Sequence, residues 1–218
     1  MKKLTELTLA ERMELILDLS WKLLITYIHN GKLNPPNEAS LQRYFERIIE
    51  KYGELHCYLE EESFHINSQH PIQKLKGLDR KIIIDITCIL KNHKTDECVK
   101  GAIELKHTTK SGDPTDTGRI SSYRDIKRLE ILKQEGGFNV CKFHMLANRR
   151  AYTDPSSIGT TGEDFPIYNG YKIEPAKVYR TEHSKEGKGK EFTFNKPYTF
   201  NWIMSEPQKR LYFLSVDI

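Results

Sequence analysis

Apolar residues recur at every third or fourth position in three stretches of the chain, and this spacing predicts amphipathic helices. The predicted helices cover residues 8–30, 37–53 and 119–135. The capping-box pattern Thr8-Leu9-Ala10-Glu11 opens the first helix. Gly53 is the expected stop of the second helix, and Gly136-Gly137 ends the third. Each predicted helix is therefore bounded by residues that favour a helix end.

Shorter apolar runs alternate with polar positions, and a period of two predicts β-strands. The clearest runs are 82–87, 103–106 and 138–146, and residues 55–68 add one or two more strands. The polar segment from Lys91 to Glu97 is typical of a hairpin turn between the first two runs.

The order of these elements predicts an α/β fold in which helices flank a mixed central β-sheet. We expect three parts: an N-terminal helical extension (1–36), a core (37–147) and a β-rich C-terminal part (148–218) that packs on the core. The helix between 103–106 and 138–146 predicts a right-handed crossover between parallel strands.

Three charged residues interrupt the apolar strands of the core. Asp85 lies between Ile84 and Ile86, and Glu104 is followed two positions later by Lys106. Alternate side chains of a strand share a face, so Glu104 and Lys106 point together. If the two strands pair as neighbours, two carboxylates and one ammonium converge at one place. Carboxylate oxygens suit a hard cation such as Mg²⁺.

The Asp/Glu-x-Lys pattern alone carries little information, because the chain contains it four times. Three copies lie outside apolar strands, at 79–81, 125–127 and 186–188. Only Glu104-Leu105-Lys106 ends an apolar strand that follows a strand with a lone acid. The alternative interpretation is a simple antiparallel hairpin with an Asp–Lys salt bridge at a solvated edge.

This layout resembles the PD-(D/E)XK, or restriction-endonuclease-like, nuclease superfamily over about residues 37–147. The residue before Asp85 is Ile84, where the family name has proline. The resemblance implies an αβββαβ core and Mg²⁺-dependent hydrolysis of DNA, with Mn²⁺ as a substitute. It also implies that Asp85, Glu104 and the backbone carbonyl of Leu105 bind the metal ion. Lys106 would orient the attacking water or help to deprotonate it.

Related nucleases often add an acid from the helix before the first strand. Glu46 directly follows Phe45 of that helix's apolar stripe, so it is our first choice for a further metal ligand. Glu38 and Glu50 are the alternatives on the same helix. A solvated surface acid is the competing interpretation for each of the three.

Basic residues follow the predicted site and are candidates for contacts with phosphate groups. Those on the third helix and in the later Gly/Lys-rich stretch are Arg119, Arg124, Lys127, Arg128, Lys185, Lys188 and Lys190. The competing interpretations are an ordinary basic helix face and a disordered solubilising loop. His107 falls on the opposite strand face from Lys106, so we expect no catalytic role for it.

Bulk properties are compatible with this hypothesis but do not require it. The net charge is +4, with 34 basic and 30 acidic residues, which permits a polyanionic partner. The four cysteines show no zinc-like spacing, and we expect buried free thiols in a cytoplasmic protein. No apolar run is long enough to suggest a membrane span, and the N-terminus does not resemble a signal peptide.

The leading hypothesis is a Mg²⁺-dependent DNA endonuclease of restriction or defence. Cutting both strands usually needs two sites, so we expect a homodimer, for which residues 8–30 could supply the contact surface. Two alternatives stay open. One is a catalytically inactive nucleic-acid-binding or scaffold protein on the same fold, and the other is a nuclease that acts on RNA or needs an effector.

Overall fold

The structure is a computed structural model that describes residues 6–72, 75, 82–108, 115–157, 160–183, 187–204 and 210–218. The helices are α1 (Leu9–His29), α2 (Glu38–Leu55), α3 (Thr115–Glu135) and α4 (Thr160–Asp164). The strands are β1 (Glu62–Ile72), β2 (Ile82–Asn92), β3 (Cys98–Thr108), β4 (Val140–Ala147), β5 (Tyr179–Arg180), β6 (Glu191–Phe192), β7 (Asn201–Met204) and β8 (Tyr212–Asp217).

The architecture is mixed α/β, and helices flank a six-stranded mixed sheet. The strand order is β1-β2-β3-β4-β8-β7, and β5 and β6 form a separate two-stranded sheet. In the sequence, α2 is followed by three strands, a helix and a strand, as predicted for the core. The sequence did not indicate that β8 would lie between β4 and β7.

The chain divides into two compact units. The first unit contains Met1–Ile103 and Ile131–Cys141, and the second contains Glu104–Glu130 and Lys142–Ile218. The predicted division is at residues 36 and 147, whereas the unit boundaries fall within β3, α3 and β4. Among the described residues, no helix is long and apolar enough to cross a membrane.

Helix α1 begins where the sequence predicts. Thr8 Oγ1 accepts a hydrogen bond from Glu11 N (3.2 Å), and Thr8 N donates to Glu11 Oε2 (2.8 Å), which completes the capping box. The apolar stripe of α1 lies against the sheet. A Cβ built on Gly101 would lie 3.2 Å from Met13 Sδ and 3.5 Å from Leu17 Cδ1, so Gly101 allows α1 to approach β3 closely.

Helix α2 starts as predicted but continues past Gly53 to Leu55. Asn37 caps it by accepting a hydrogen bond from Ser40 N at 2.9 Å. Gly53 has a packing role instead of the predicted stop, because a Cβ there would lie 2.0 Å from the Phe64 ring of β1. The predicted strand region 55–68 therefore begins later, at Glu62.

Strands β1 and β2 and the part of β3 up to Ile103 form an antiparallel meander in the first unit. Ser68 of β1 pairs with Ile86 of β2, and Ile86 in turn pairs with Ile103 of β3. Ile84 and Ile86 are fully buried on one face of β2, as the period of two predicts. Asp85 is only half-buried on the other face.

The second unit is organised around Tyr123 of α3. Its ring centroid lies 5.0 Å from that of Tyr179, 5.2 Å from that of Phe165 and 5.7 Å from that of Phe194. Its hydroxyl donates to Pro166 O at 2.8 Å. Burial raises the pKa of the Tyr123 hydroxyl well above its ordinary value. Aromatic residues from the last third of the chain therefore build this core with α3.

Candidate functional site

Asp85 is fixed by a set of glutamine side chains in the first unit. Gln69 Nε2 donates to Asp85 Oδ1 at 3.1 Å, and the Asp85 carbonyl accepts from Gln42 Nε2 at 2.8 Å. The two glutamines are joined by a bond of 3.0 Å from Gln69 Nε2 to Gln42 Oε1. These bonds hold both the carboxylate and the backbone of Asp85 in place.

Gln69 adopts an unusual backbone conformation at this point. Its φ is +49°, a left-handed value that costs roughly 1–3 kcal/mol for a residue other than glycine. The β1–β2 pairs on either side, Ser68–Ile86 and His70–Ile84, keep the same register. The strain is therefore confined to the residue whose side chain reaches Asp85.

Glu46 belongs to the same polar network. Its Oε1 accepts hydrogen bonds from Ser68 Oγ at 2.6 Å and from Gln42 Nε2 at 2.8 Å. Gln42 therefore links Glu46 on α2 to Asp85 on β2. Glu50 of the same helix is exposed, and a role of either acid as a metal ligand stays a prediction.

Two arginines beside Glu46 were not predicted. Arg43 and Arg47 line a groove of about 480 Å³ along α2 with Ser40, Tyr44 and Glu46. Both are exposed on the polar face of the helix, so the sequence shows them only as ordinary polar positions. Gln42 and Gln69 were missed for a similar reason, because a lone glutamine has no characteristic spacing.

Glu104 and Lys106 lie together on the part of β3 that belongs to the second unit. Glu104 is 3% exposed, although an acid is rarely buried to this extent without a specific role or partner. The Lys106 ammonium lies 3.1 Å from Asp125 Oδ2 of α3, and its side chain is 17% exposed. Both residues are therefore enclosed, with the charge of Lys106 balanced by a helix carboxylate.

Asp125 is a further residue that the sequence analysis did not assign to the site. Its side chain is 1% exposed, and besides Lys106 it contacts Arg124 Nε and Arg128 Nη1, each 3.1 Å from Oδ1. The sequence contained a signal, because Asp125-Ile126-Lys127 is one of the four Asp/Glu-x-Lys copies. This copy lies on a helix, and its aspartate is the ion-pair partner of Lys106 in the strand copy.

Arg119, one of the predicted phosphate contacts, is buried in the second unit. Arg119 is 2% exposed, stacks over the Tyr152 ring at 5.6 Å, and donates to the carbonyls of Ala151 and Phe165. Burial lowers its pKa. Arg119 therefore ties α3 to the segment after β4, and this burial explains its position better than a phosphate contact does.

The other basic residues of α3 are partly engaged within the second unit. Lys127 Nζ lies 2.6 Å from Glu130 Oε2, whereas Arg124 and Arg128 share Asp125. The Arg124 side chain is 42% exposed, the largest exposure among these three cations. Of these three cations, Arg124 therefore has the side chain most accessible to a binding partner while it remains paired with Asp125.

The predicted loop cations are only partly described. Lys188 and Lys190 are exposed, and Lys185 lies outside the described residues. Their contact with nucleic acid stays a prediction.

The ligand set that the sequence predicts contains oxygen atoms only, which suits Mg²⁺ or Mn²⁺. Among the residues that the structure describes, no three His, Cys, Asp or Glu side chains are grouped to hold a metal ion. Asp85 and Glu46 belong to the first unit, and Glu104 and Leu105 belong to the second. The convergence of Asp85 with Glu104 therefore stays a prediction.

Comparison of the chain with family models, with curated proteins and with solved structures gave no match.

Proposed function

We propose that this protein is a metal-dependent nuclease that hydrolyses phosphodiester bonds in DNA, with a PD-(D/E)XK-like core in residues 37–147. The observation that carries the proposal is the enclosure of Glu104 and Lys106 on one strand, with Asp125 holding the lysine at 3.1 Å. Burying Glu104 and most of the Lys106 side chain costs desolvation free energy. A contribution to surface solubility does not explain why these two charged residues are removed from water, whereas a catalytic role does.

The first unit supports the proposal independently. Asp85 is held by Gln42 and Gln69 at 2.8 and 3.1 Å. A carboxylate that is fixed before the substrate binds loses less conformational freedom in the reaction.

The proposed roles follow from the positions of these groups. Asp85, Glu104 and the Leu105 carbonyl would hold a divalent cation, with Glu46 as a further acid. The bound cation supplies charge neutralisation for the scissile phosphate. Lys106 would orient the attacking water with its ammonium group, which Asp125 keeps in a fixed place. Arg43 and Arg47 beside Glu46 would bind the phosphate oxygens of the substrate strand.

A cleavage assay with different cations tests this proposal. We expect the purified chain to cut DNA with Mg²⁺ or Mn²⁺, and to show little activity with Ca²⁺, whose looser coordination positions the water poorly. Excess EDTA should abolish cleavage, and restoring Mg²⁺ should return it. Equal cutting in EDTA would contradict the proposal. DNA binding without cleavage under every condition would favour the inactive binding protein, and cutting of RNA alone would favour the ribonuclease.

A further inference from the structure

The second unit contains a cleft rich in arginine that the proposed catalytic residues do not line. It has a volume of about 810 Å³, in the upper part of the range of roughly 300–1,000 Å³ that is common for ligand sites. Three of its lining residues are Arg149, Arg150 and Arg210. They come from two segments of the chain, after β4 and before β8.

The lining of this cleft is strongly cationic. Among the described residues that line it, none is acidic and three are arginines, although Asp154, which pairs with Arg150, offsets part of their charge. Thr115 and Asn148 add neutral groups that can donate hydrogen bonds. Arginine with neutral donors is a combination that suits phosphate oxygens.

Arg150 is held in place within the unit. Its Nη2 lies 2.7 Å from Asp154 Oδ2, and the Arg150 side chain is 76% exposed. Asp154 is itself anchored, because its Oδ1 accepts hydrogen bonds from Ser156 N at 2.9 Å and Ser156 Oγ at 2.7 Å. These bonds from Ser156, more than the ion pair, lower the pKa of Asp154. An anchored and exposed guanidinium is available for a ligand at a reduced entropic cost.

We propose that this cleft binds the phosphate backbone of a nucleic-acid strand, with Arg149, Arg150 and Arg210 each meeting phosphate oxygens. The choice of nucleic acid as the ligand rests on the proposed nuclease function. The proposal adds a binding surface that the proposed catalytic residues do not line. Cations from separate segments suit a strand with several phosphates better than a single phosphate ion. Base-independent contacts of this kind position the substrate and do not read its sequence.

The test is a salt titration of DNA binding measured by fluorescence anisotropy, without metal so that no cleavage occurs. The variant is Arg149→Gln with Arg150→Gln and Arg210→Gln. We expect its affinity for a labelled oligonucleotide to fall at least about tenfold, and the salt slope to fall by about one unit per lost contact. The matched control removes three exposed cations of the same unit outside the cleft, Lys172→Gln, Arg180→Gln and Lys196→Gln.

An equal loss of affinity in the cleft variant and the control would overturn the proposal, since only net charge would then matter. If the triple variant does not fold, the exposed pair Arg150→Gln with Arg210→Gln replaces it, with an expected loss of several fold. Inorganic phosphate and ATP serve as competitors. Displacement of the oligonucleotide by ATP at equal molar concentration would assign the cleft to free phosphate compounds and overturn the strand proposal.

This result is distinguishable from the fate of the proposed function. Loss of binding in the cleft variant, together with wild-type cleavage by a Lys106→Ala protein, would support the cleft and refute the assigned catalytic site. Normal binding by the cleft variant, with no cleavage by Lys106→Ala, would refute the cleft proposal and support the assigned catalytic site.

Discussion

Lys106 is the residue on which the proposed chemistry depends most directly. Replacing it with alanine removes the ammonium that would orient the attacking water, but removes no proposed anchor for the DNA. We expect Lys106→Ala to abolish cleavage and to leave DNA affinity within a few fold. Single-turnover cleavage and a binding titration measure the two effects separately.

Lys100→Ala is the matched control, because Lys100 is exposed on the same strand. Its cleavage rate should equal that of the wild type. A Lys106→Ala protein that cuts at the wild-type rate would show that the site is assigned wrongly.

Asp125 tests whether the position of Lys106 matters, because it touches the lysine and not the proposed substrate. Asp125→Asn keeps the shape of the side chain but removes the charge that three cations share. We expect the single-turnover rate to fall at least about tenfold, since small misplacements of catalytic groups are costly. The fall should appear in kcat more than in KM.

Glu135→Gln, at an exposed position of the same helix, controls for the charge change. Thermal unfolding of both variants shows how much of the effect is structural. If the loss of rate equals the fraction of Asp125→Asn protein that is unfolded, then Asp125 stabilises the fold and does not position Lys106.

At the scale of elements, a buried ion pair joins α1 to β1. Arg12 Nη2 lies 2.6 Å from Glu62 Oε1, and the two side chains are 7% and 1% exposed. The hydrogen bonds from Arg12 are the main reason that the pKa of Glu62 is lowered. The pair also connects to the chain before β1, because Tyr58 N donates to Glu62 Oε2 at 2.8 Å.

This pair predicts a pH-dependent stability. Because the folded pKa of Glu62 is lowered, its contribution is fully present above the ordinary glutamate pKa and is lost as the pH falls through the folded value. Near pH 7, Glu62→Gln should reduce the free energy of unfolding by about 3 kcal/mol, because it leaves a buried guanidinium without its anion. At about pH 3 the difference from the wild type should shrink markedly.

Urea unfolding at the two pH values measures this difference. Glu54→Gln is the control, since Glu54 pairs with Lys51 on the surface, where the two side chains are 57% and 71% exposed. It should change the free energy of unfolding by less than about 1 kcal/mol at either pH. A Glu62→Gln effect that is equal at both pH values would mean that the lost stability is not electrostatic.

The sequence predicted the elements well where periodicity and end signals agree. Thr8, Asn37 and Gly137 mark helix ends in the structure as they do in the sequence, and Gly137 has the left-handed φ of +70°. The prediction that Gly53 ends α2 was wrong, because a glycine at this position is equally compatible with a helix end and with close packing of another side chain against the helix. Only the partner, Phe64, distinguishes them, and that partner is set by tertiary packing.

For the candidate site, the sequence indicates the charged residues themselves but not the residues that hold them in place. Asp85, Glu104 and Lys106 interrupt apolar runs, so they are visible in the sequence. The residues that hold them are Gln42, Gln69 and Asp125, which come from α2, β1 and α3. No local pattern specifies such long-range partners, so sequence reasoning could not find them.

At the scale of the whole molecule, the last third of the chain contributes more than the sequence suggested. Strand β8 pairs with both β4 and β7, and Phe165, Tyr179 and Phe194 surround Tyr123 of α3. Short strands with irregular spacing give weak periodic signals. The pairing partners of these strands are distant in the sequence, which is why their places were not predicted.

The proposed dimer must use a surface other than the apolar stripe of α1. Met13, Ile16, Leu17 and Leu24 are fully buried within the first unit. These residues are therefore not available to a second copy of the chain while that unit is folded. If α1 contributes to a dimer, it must do so through its polar face.

Plasmid cleavage tests whether two copies of the chain act together. A dimer with two sites cuts both strands in one encounter, so linear product should appear without prior accumulation of the nicked circle. Mixing the wild type with an excess of Lys106→Ala protein should populate dimers with one active site. These should yield nicked circles, with the linear product falling roughly as the square of the wild-type fraction. If single chains act independently, nicked circles should always form first, and the amounts of both products should fall in proportion to the wild-type fraction. That result would refute the dimer as the cutting species.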